Sequence, residues 1–411
     1  MKRIIIILTI VLVTLSGKLS AQEVINLYLQ TAAENNPALK AQFHEYMAAL
    51  ERIPQVKVLP DPMVAFGYFI QPVETRLGPQ QAKISASQMF PWFGTLSARE
   101  NTLESLAKAK FESFKEAKSK LFYDVKATYY NLFFTEKAIE ITLNNIEILS
   151  SFRSLAVVKV ESSSASAIDA YRVEMEINDL ENQLALLRDN STMLTVKFKK
   201  LLNLDESSGI QISDELSDES LLSKQAELEN VMVNNNILTS FNYQLEGLEY
   251  SKKSASKEGL PQFSIGLEYA FIGEGNSTAG NAGQDAFIFP AIGITIPLYR
   301  SKYKAKVQEV VYLQEAKSFE KTDKENTLTV MFESAWKDYL DAGRRLTLYQ
   351  TQTDLAQKSL SILESKYATG NMDFEEILRM ERKLLKYTLE LHKATADKGS
   401  AVAFIHYLQG K

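Results

Sequence analysis

The 411-residue chain contains no cysteine, and that absence excludes several kinds of chemistry at once. Without thiols there is no disulfide framework, no thiolate metal centre and no cysteine nucleophile. A lipid-modified N-terminal cysteine is excluded too, so the chain is not expected to be a lipoprotein. Histidine is nearly as scarce: His44, His392 and His406 stand far apart and never in ligand spacing, so no metal site is expected. Basic residues do not outnumber acidic ones. The net charge is -5, and no basic run interleaves with aromatics, so nucleic acid is not an expected partner. Catalytic motifs are missing as well, with no H-E-x-x-H and no G-x-S-x-G. Gly275 and Gly280 have the spacing of a phosphate loop, but Asn281 stands where its lysine should be. An enzyme is not expected, nor a catalytic residue or a cofactor.

Long apolar runs are limited to one. Residues 4–15 follow a basic start and precede the small pair Ser20-Ala21, which reads as an export signal over 1–21. The run is too short to span a bilayer comfortably, since a spanning helix needs about 20 residues.

Most of what remains is written in heptads. Phe332, Ala335, Tyr339, Ala342, Leu346 and Tyr349 begin a stripe in steps of three and four that runs on to Tyr367. At an offset of 207 residues, Val125, Thr128, Leu132, Thr135, Ile139 and Thr142 begin a matching stripe in the same register. A second pair of stripes follows each turn, from Ile377 to Leu408 and from Ala170 to Leu201. Spacing held this long keeps one seam facing a partner helix, the condition for a coiled coil. The pattern predicts an internal duplication: a first repeat over 22–203 with a turn near 161–166, a linker over 204–222, and a second repeat over 223–411 with a turn near 368–373. The arm from Pro297 to Tyr367 covers about 70 residues, roughly 100 Å if helical throughout. The linker's Ser, Asp and Glu are expected to be solvated.

Each helical hairpin is preceded by a strand pair, near 63–70 and 82–90 in the first half and near 262–272 and 286–298 in the second. In Q-F-S-I-G-L-E-Y-A-F-I, Phe263, Ile265, Leu267, Tyr269 and Phe271 alternate with small or polar residues. Such alternation suits a barrel strand between lipid and water. Pro72, Gly78 and Pro79 punctuate the expected first loop. Trp92, Phe93 and Tyr299 fall at strand-to-helix junctions, where an interfacial aromatic belt would sit, or where ordinary core aromatics would serve. Four strands cannot close a transmembrane barrel, and an open sheet edge cannot face lipid. Strands that span a bilayer here would therefore have to be shared among chains. A soluble periplasmic coiled-coil scaffold or adaptor is the rival reading, and it has no use for an apolar strand face.

A-A-E-N-N-P-A-L (32–39), Q-M-F-P-W-F-G (88–94), I-P-L-Y (296–299) and Y-A-T-G (367–370), in this order and spacing, resemble the TolC-like outer-membrane efflux proteins over essentially the whole exported chain. The Q-M-F-P-W-F-G junction is similar to the heavy-metal branch. The resemblance implies a mainly α fold with four strands per chain. Three chains would form one outer-membrane β-barrel, continued by a coiled-coil α-helical tunnel in the periplasm. It implies a homotrimer in outer-membrane lipid, working with a periplasmic adaptor and an inner-membrane pump as an efflux duct. A duct for type I protein secretion shares that architecture.

The second turn carries the candidate gate. Asp373 restarts a helix after Gly370 with Glu376 three residues on, a D-x-x-E variant of the capping box that explains both acids structurally. The resemblance adds a functional reading. Glu376 and Asp169 match positions of acids near a closed periplasmic aperture, and Tyr367 matches a tyrosine that holds the tips shut. Met372 and Arg379 depart from that pattern, standing where a basic partner and a second acid would be. Glu375 and Arg379, four apart, are expected to pair on the helix surface.

Overall fold

The computed structural model describes residues 21–161, 167–217, 219–274, 283–368 and 374–411. The export segment up to residue 20, most of the first turn, and Gly370, Met372 and Asp373 of the second lie outside the described residues. Among the described residues nine helices and four strands follow in the order α1 (Ala21–Asn35), α2 (Pro37–Leu50), α3 (Ile53–Lys57), β1 (Met63–Thr75), β2 (Gly78–Phe90), α4 (Thr95–Glu161), α5 (Ala167–Leu202), α6 (Lys224–Asn234), α7 (Asn236–Glu258), β3 (Gln262–Ile272), β4 (Ala286–Thr295), α8 (Arg300–Ala368) and α9 (Phe374–Leu408). The 69 residues of α8 make a helix roughly 100 Å long. Mainly helical structure with one small antiparallel sheet is the result.

Two compact units divide the chain, and each draws on both sequence halves. One comprises Met1–Ala41, Lys115–Asn235 and Asn326–Lys411; the other comprises Gln42–Phe114 and Asn236–Glu325.

In the first unit the heptad stripes form the core. Thr128, Thr135 and Thr142 on α4 and Ala335, Ala342 and Ala356 on α8 are buried at multiples of seven residues. Small side chains there let neighbouring helices approach closely. The Thr128 and Thr135 hydroxyls donate to the carbonyls of Asp124 and Asn131 at 2.7 and 2.8 Å, whereas the buried Thr142 hydroxyl finds no partner among the described residues. Helix neighbours can be read from side-chain pairs. Ser191 of α5 donates to Glu136 of α4 at 2.6 Å; Tyr407 of α9 donates to Glu116 of α4 at 2.7 Å; Arg345 of α8 donates to Asp397 of α9 at 2.7 Å. Away from the turns the lateral order is therefore α5–α4–α9–α8, with α5 and α8 at the two edges; nearer the turns α5 also meets α9, through Glu176 and Arg382 at 3.1 Å. Near the turns all four helices converge on one apolar cluster that includes Leu149, Val173, Leu360, Phe374, Ile377 and Leu378.

The linker is tied down rather than merely solvated. Tyr28 exchanges two hydrogen bonds with the backbone of Gln211, at 2.7 and 3.1 Å, and Ser213 N–H donates to the Tyr129 hydroxyl at 2.9 Å. Farther on, Leu222 N–H donates to the buried Glu227 carboxylate at 2.9 Å, and Glu219 lies 3.6 Å from His406. Backbone groups of a connecting segment must find partners where water is excluded, and tyrosine hydroxyls supply them here. Composition alone cannot reveal this, because the partners come from distant helices.

In the second unit, all four strands form one antiparallel sheet in the order β1-β2-β3-β4. Both members of the first pair are longer than the sequence suggests. Pro72, Gly78 and Pro79 lie inside strands, not in a loop. Pro72 is tolerated because β1 is an edge strand and its ladder is irregular between Tyr68 and Val73. The turn tightens to Arg76-Leu77, closed by Gly78 at φ +134°, a conformation open to glycine. The second pair ends earlier than expected, at Thr295, since Pro297 offers no N–H to extend β4. Flanking helices are tied by ion pairs: Glu258 of α7 accepts from Arg99 of α4 at 2.9 Å and from Lys306 of α8 at 2.7 Å.

Candidate functional site

Two surfaces carry the functional candidates, one on the sheet and one where the long helices turn. On the sheet, the register aligns Phe66 with Ile84, Ile84 with Tyr269, and Tyr269 with Phe287, so one rung crosses all four strands with apolar side chains. Alternation places Val64, Tyr68, Leu267, Phe271 and Ile292 on the same face. These side chains are not packed into a core: Phe66 is 69% exposed and Ile292 70%. The opposite face is mostly small or polar, with Ala65, Ser85 and Glu268 in one rung and Ser87 and Gly266 in another, while Met63, Met89 and Ile288 are its large apolar members. Gly266 has no room for more, since a Cβ there would stand 2.7 Å from the Ala86 carbonyl oxygen.

β1 and β4 form the two edges, and each presents an unpaired row of backbone groups within the single chain. Edge strands of globular proteins are usually blunted by charge. These edges instead carry Val64, Phe66, Tyr68, Phe287, Ile288, Phe289, Ile292 and Ile294, all exposed. Of the junction aromatics, Trp92 stacks on Phe263 with ring centroids 5.9 Å apart, while Phe93 and Tyr299 project freely. Phe93 and Tyr299 are thus outside the core of the single chain. Among the described residues no helix is long and apolar enough to cross a membrane.

At the turn end, Tyr367 closes α8 and is buried against Phe374, ring centroids 5.2 Å apart. Lys159 of α4 places its ammonium 3.4 Å from the Tyr367 ring centroid and donates to the Tyr367 carbonyl at 3.4 Å. Among the described residues the Tyr367 hydroxyl has no hydrogen-bond partner. Burial, and then the nearby Asp169 charge, push its pKa above the ordinary value. Arg172 stands 3.6 Å from Asp169 and 3.0 Å from Glu375, linking α5 to α9. Asp169 and Tyr367 are thus brought together. Glu376 pairs with Arg379 three residues on, along the surface of α9. The expected Glu375–Arg379 pair is replaced by Glu376–Arg379 and Arg172–Glu375, because Arg172 reaches Glu375 from the neighbouring helix. Arg172, Lys159 and Phe374 were not singled out by the sequence. Arg172 could have been, since it stands 207 residues before Arg379 just as Asp169 stands before Glu376. Among the described residues no group of three or more His, Asp or Glu side chains could hold a metal ion.

No family model matches the sequence, and no curated protein matches it. Solved structures do. The outer-membrane channel OprN superposes with a TM-score of 0.77 at 16% identity, covering 94% of this chain and 90% of that one. The chain has the fold of an outer-membrane channel. The CmeC outer membrane channel of Campylobacter jejuni gives 0.75 at 13% identity, over 94% and 86% of the two chains. CusC, described for conformational changes in folding and transmembrane channel formation, gives 0.74 at 14%, over 94% and 92%. These scores are nearly level, so the likeness does not favour one channel over another.

Proposed function

We propose that the chain is the outer-membrane exit duct of a tripartite efflux system. In this reading it passively conducts substrates delivered by an inner-membrane pump through a periplasmic adaptor. The observation that carries this is the exposed apolar face of the sheet together with its two open, apolar edges. A sheet of that kind is unstable in water, and alone it is unstable in lipid, where each unsatisfied backbone group costs several kcal/mol. Pairing β1 of one copy with β4 of the next removes both problems, and three copies give the twelve strands of one barrel. The helical unit offers parallel support. Its edge helices α5 and α8 expose apolar side chains, among them Tyr171, Met175, Leu348, Leu355 and Ile362, as an unpaired lateral surface would. A soluble scaffold would have no reason to expose either surface.

The test is direct. The protein should fractionate with outer membranes, require detergent for extraction, run as a trimer, and conduct ions in planar bilayers. Recovery as a soluble monomer would overturn the reading. The heavy-metal assignment rests on the Q-M-F-P-W-F-G junction. Cells lacking the chain should accumulate metal ions rather than dyes or antibiotics if it holds.

The turn residues are proposed to act as a gate, with each inward carboxylate of Asp169 and Glu376 becoming a ring of three. Like charges at close range favour cation binding. Glu376→Gln combined with Asp169→Asn should weaken cation selectivity or divalent block while leaving trimers intact; unchanged selectivity and block would sink this role.

A further inference from the structure

Within the paired rungs covering 63–68, 82–90, 262–271 and 286–295, two residues are charged: Lys83 and Glu268. They lie on the same face, the one opposite Phe66, Ile84 and Tyr269, and they form an ion pair across β2 and β3. Their neighbours on that face are Ala65, Gly67, Ser85, Ser87 and Ala270, all small, and Ile288, which pairs with Glu268 on the β4 side and carries no charge. Both side chains remain partly open, 39% and 27% exposed.

A lone ion pair on a strand surface stabilises a sheet little. Its placement has a larger consequence if the sheet closes with two copies of itself, as the duct reading on which this inference rests requires. Lys83 and Glu268 would then repeat three times around one level of the enclosed passage. Rings of charged side chains set the ion preference of a pore, and either residue alone would supply such a ring. Together they cancel. We infer that Lys83 and Glu268 form a charge-compensated collar on the water-facing side of the sheet, which leaves this part of the passage indifferent to the sign of the cargo's charge.

Because the chain has no cysteine, a single introduced thiol reports local potential without interference. Ser85 stands directly opposite Glu268 and two residues from Lys83. Ser85→Cys protein in liposomes would be treated with a cationic and an anionic methanethiosulfonate, and the ratio of their reaction rates measured. Lys83→Gln should raise the cation-to-anion ratio about threefold or more and Glu268→Gln should lower it similarly, while the double variant returns near the starting value. Raising salt from 0.01 M to 1 M shortens the screening length from about 30 Å to about 3 Å and should erase the differences. Shifts below twofold, or both in one direction, would overturn the collar. Ile84→Cys is the control on the other face. If it reacts as fast as Ser85→Cys, the membrane reading itself fails; if it is protected and the ratios do not move, only the collar fails.

Discussion

Tyr171 and Leu378 hold matching places, 207 residues apart, on the return helices α5 and α9, yet one is 70% exposed and the other 1%. The same contrast runs along both helices. α5 exposes Ile168, Tyr171, Met175, Leu186, Met193 and Val196, whereas α9 exposes no large hydrophobic side chain among the described residues. Sequence pattern assigns the two helices one seam each. Lateral position decides how many more they need. α9 lies between α4 and α8 and near the turn is met by α5 as well, so Leu378, Glu381 and Leu385 are buried beside the expected line through Ile377. α5 stands at an edge, and its second apolar line has nothing in the single chain to cover it.

The largest test of that contrast is truncation at the matched pair. Leu378→Ala should cost about 2–5 kcal/mol, as for any large aliphatic removed from a closed core. Tyr171→Ala should stay within about 0.5 kcal/mol for the isolated chain, because an exposed side chain loses few contacts. Thermal unfolding followed by circular dichroism compares the two. If three copies close through α5 and α8, Tyr171→Ala should nonetheless lower the heat resistance of the oligomer in detergent. Equal losses from both variants in the monomer would show that the edge assignment of α5 is wrong.

Glu174 and Glu381 extend the comparison to charge. Glu174 lies at the surface, 2.5 Å from Arg153. Glu381 is buried, accepts one long hydrogen bond from Asn145 at 3.4 Å, and feels the like charge of Glu364 from α8. The carboxylates of α5 nearby are otherwise engaged, Glu174 with Arg153 and Glu176 with Arg382. Burial and then the Glu364 charge push the Glu381 carboxyl above its ordinary range, against the smaller opposing effect of Asn145. A carboxyl whose folded pKa is raised binds its proton more tightly when folded. The stability it contributes is full below the unfolded pKa and is lost as pH rises through the folded one. Glu381→Gln, which stays neutral, should therefore match the parent at pH 4 and exceed it by roughly 2–4 °C in Tm at pH 8, the shift expected of about 1 kcal/mol. Glu174→Gln should show no such divergence. A parent protein that gains stability on Glu381→Gln equally at both pH values would exclude ionisation as the cause.

How much of this was legible beforehand follows from the range of each cue. Periodicities of two and of three to four are local, and they were enough for long helices, four strands and the apolar face through Phe263 and Tyr269. Pro72, Gly78 and Pro79 misled, because the tolerance of an edge strand for proline depends on which strand is the edge, and sequence does not order strands. The seam was legible at Leu149, Ala342 and Ile377. The second buried line on α9 was not, since it depends on which helix lies between two others. At the turn, Asp169 and Tyr367 were singled out through a resemblance and do meet. The cation above the Tyr367 ring came from Lys159, more than 200 residues away in sequence, which no local pattern points to.

Asp169 and Glu376 give the smallest expected difference, and the one that separates capping from a gate. Each has an arginine three residues on, Arg172 and Arg379. Arg379 stays on its own helix surface, and an exposed pair of that kind contributes about 0.2–1 kcal/mol at most. Arg172 also reaches Glu375 on α9, so Asp169 helps hold a contact between helices. Asp169→Asn should therefore lower Tm slightly more than Glu376→Gln, by about 1 °C, and should relax the Tyr367 phenol toward its ordinary pKa, since the Asp169 charge is one cause of its elevation. Ultraviolet titration of tyrosinate can follow that change. Glu376→Gln should leave the phenol where it is. If both substitutions move it equally, Glu376 lies closer to the buried tyrosine than its pairing with Arg379 implies, and the two acids act as one group within each chain.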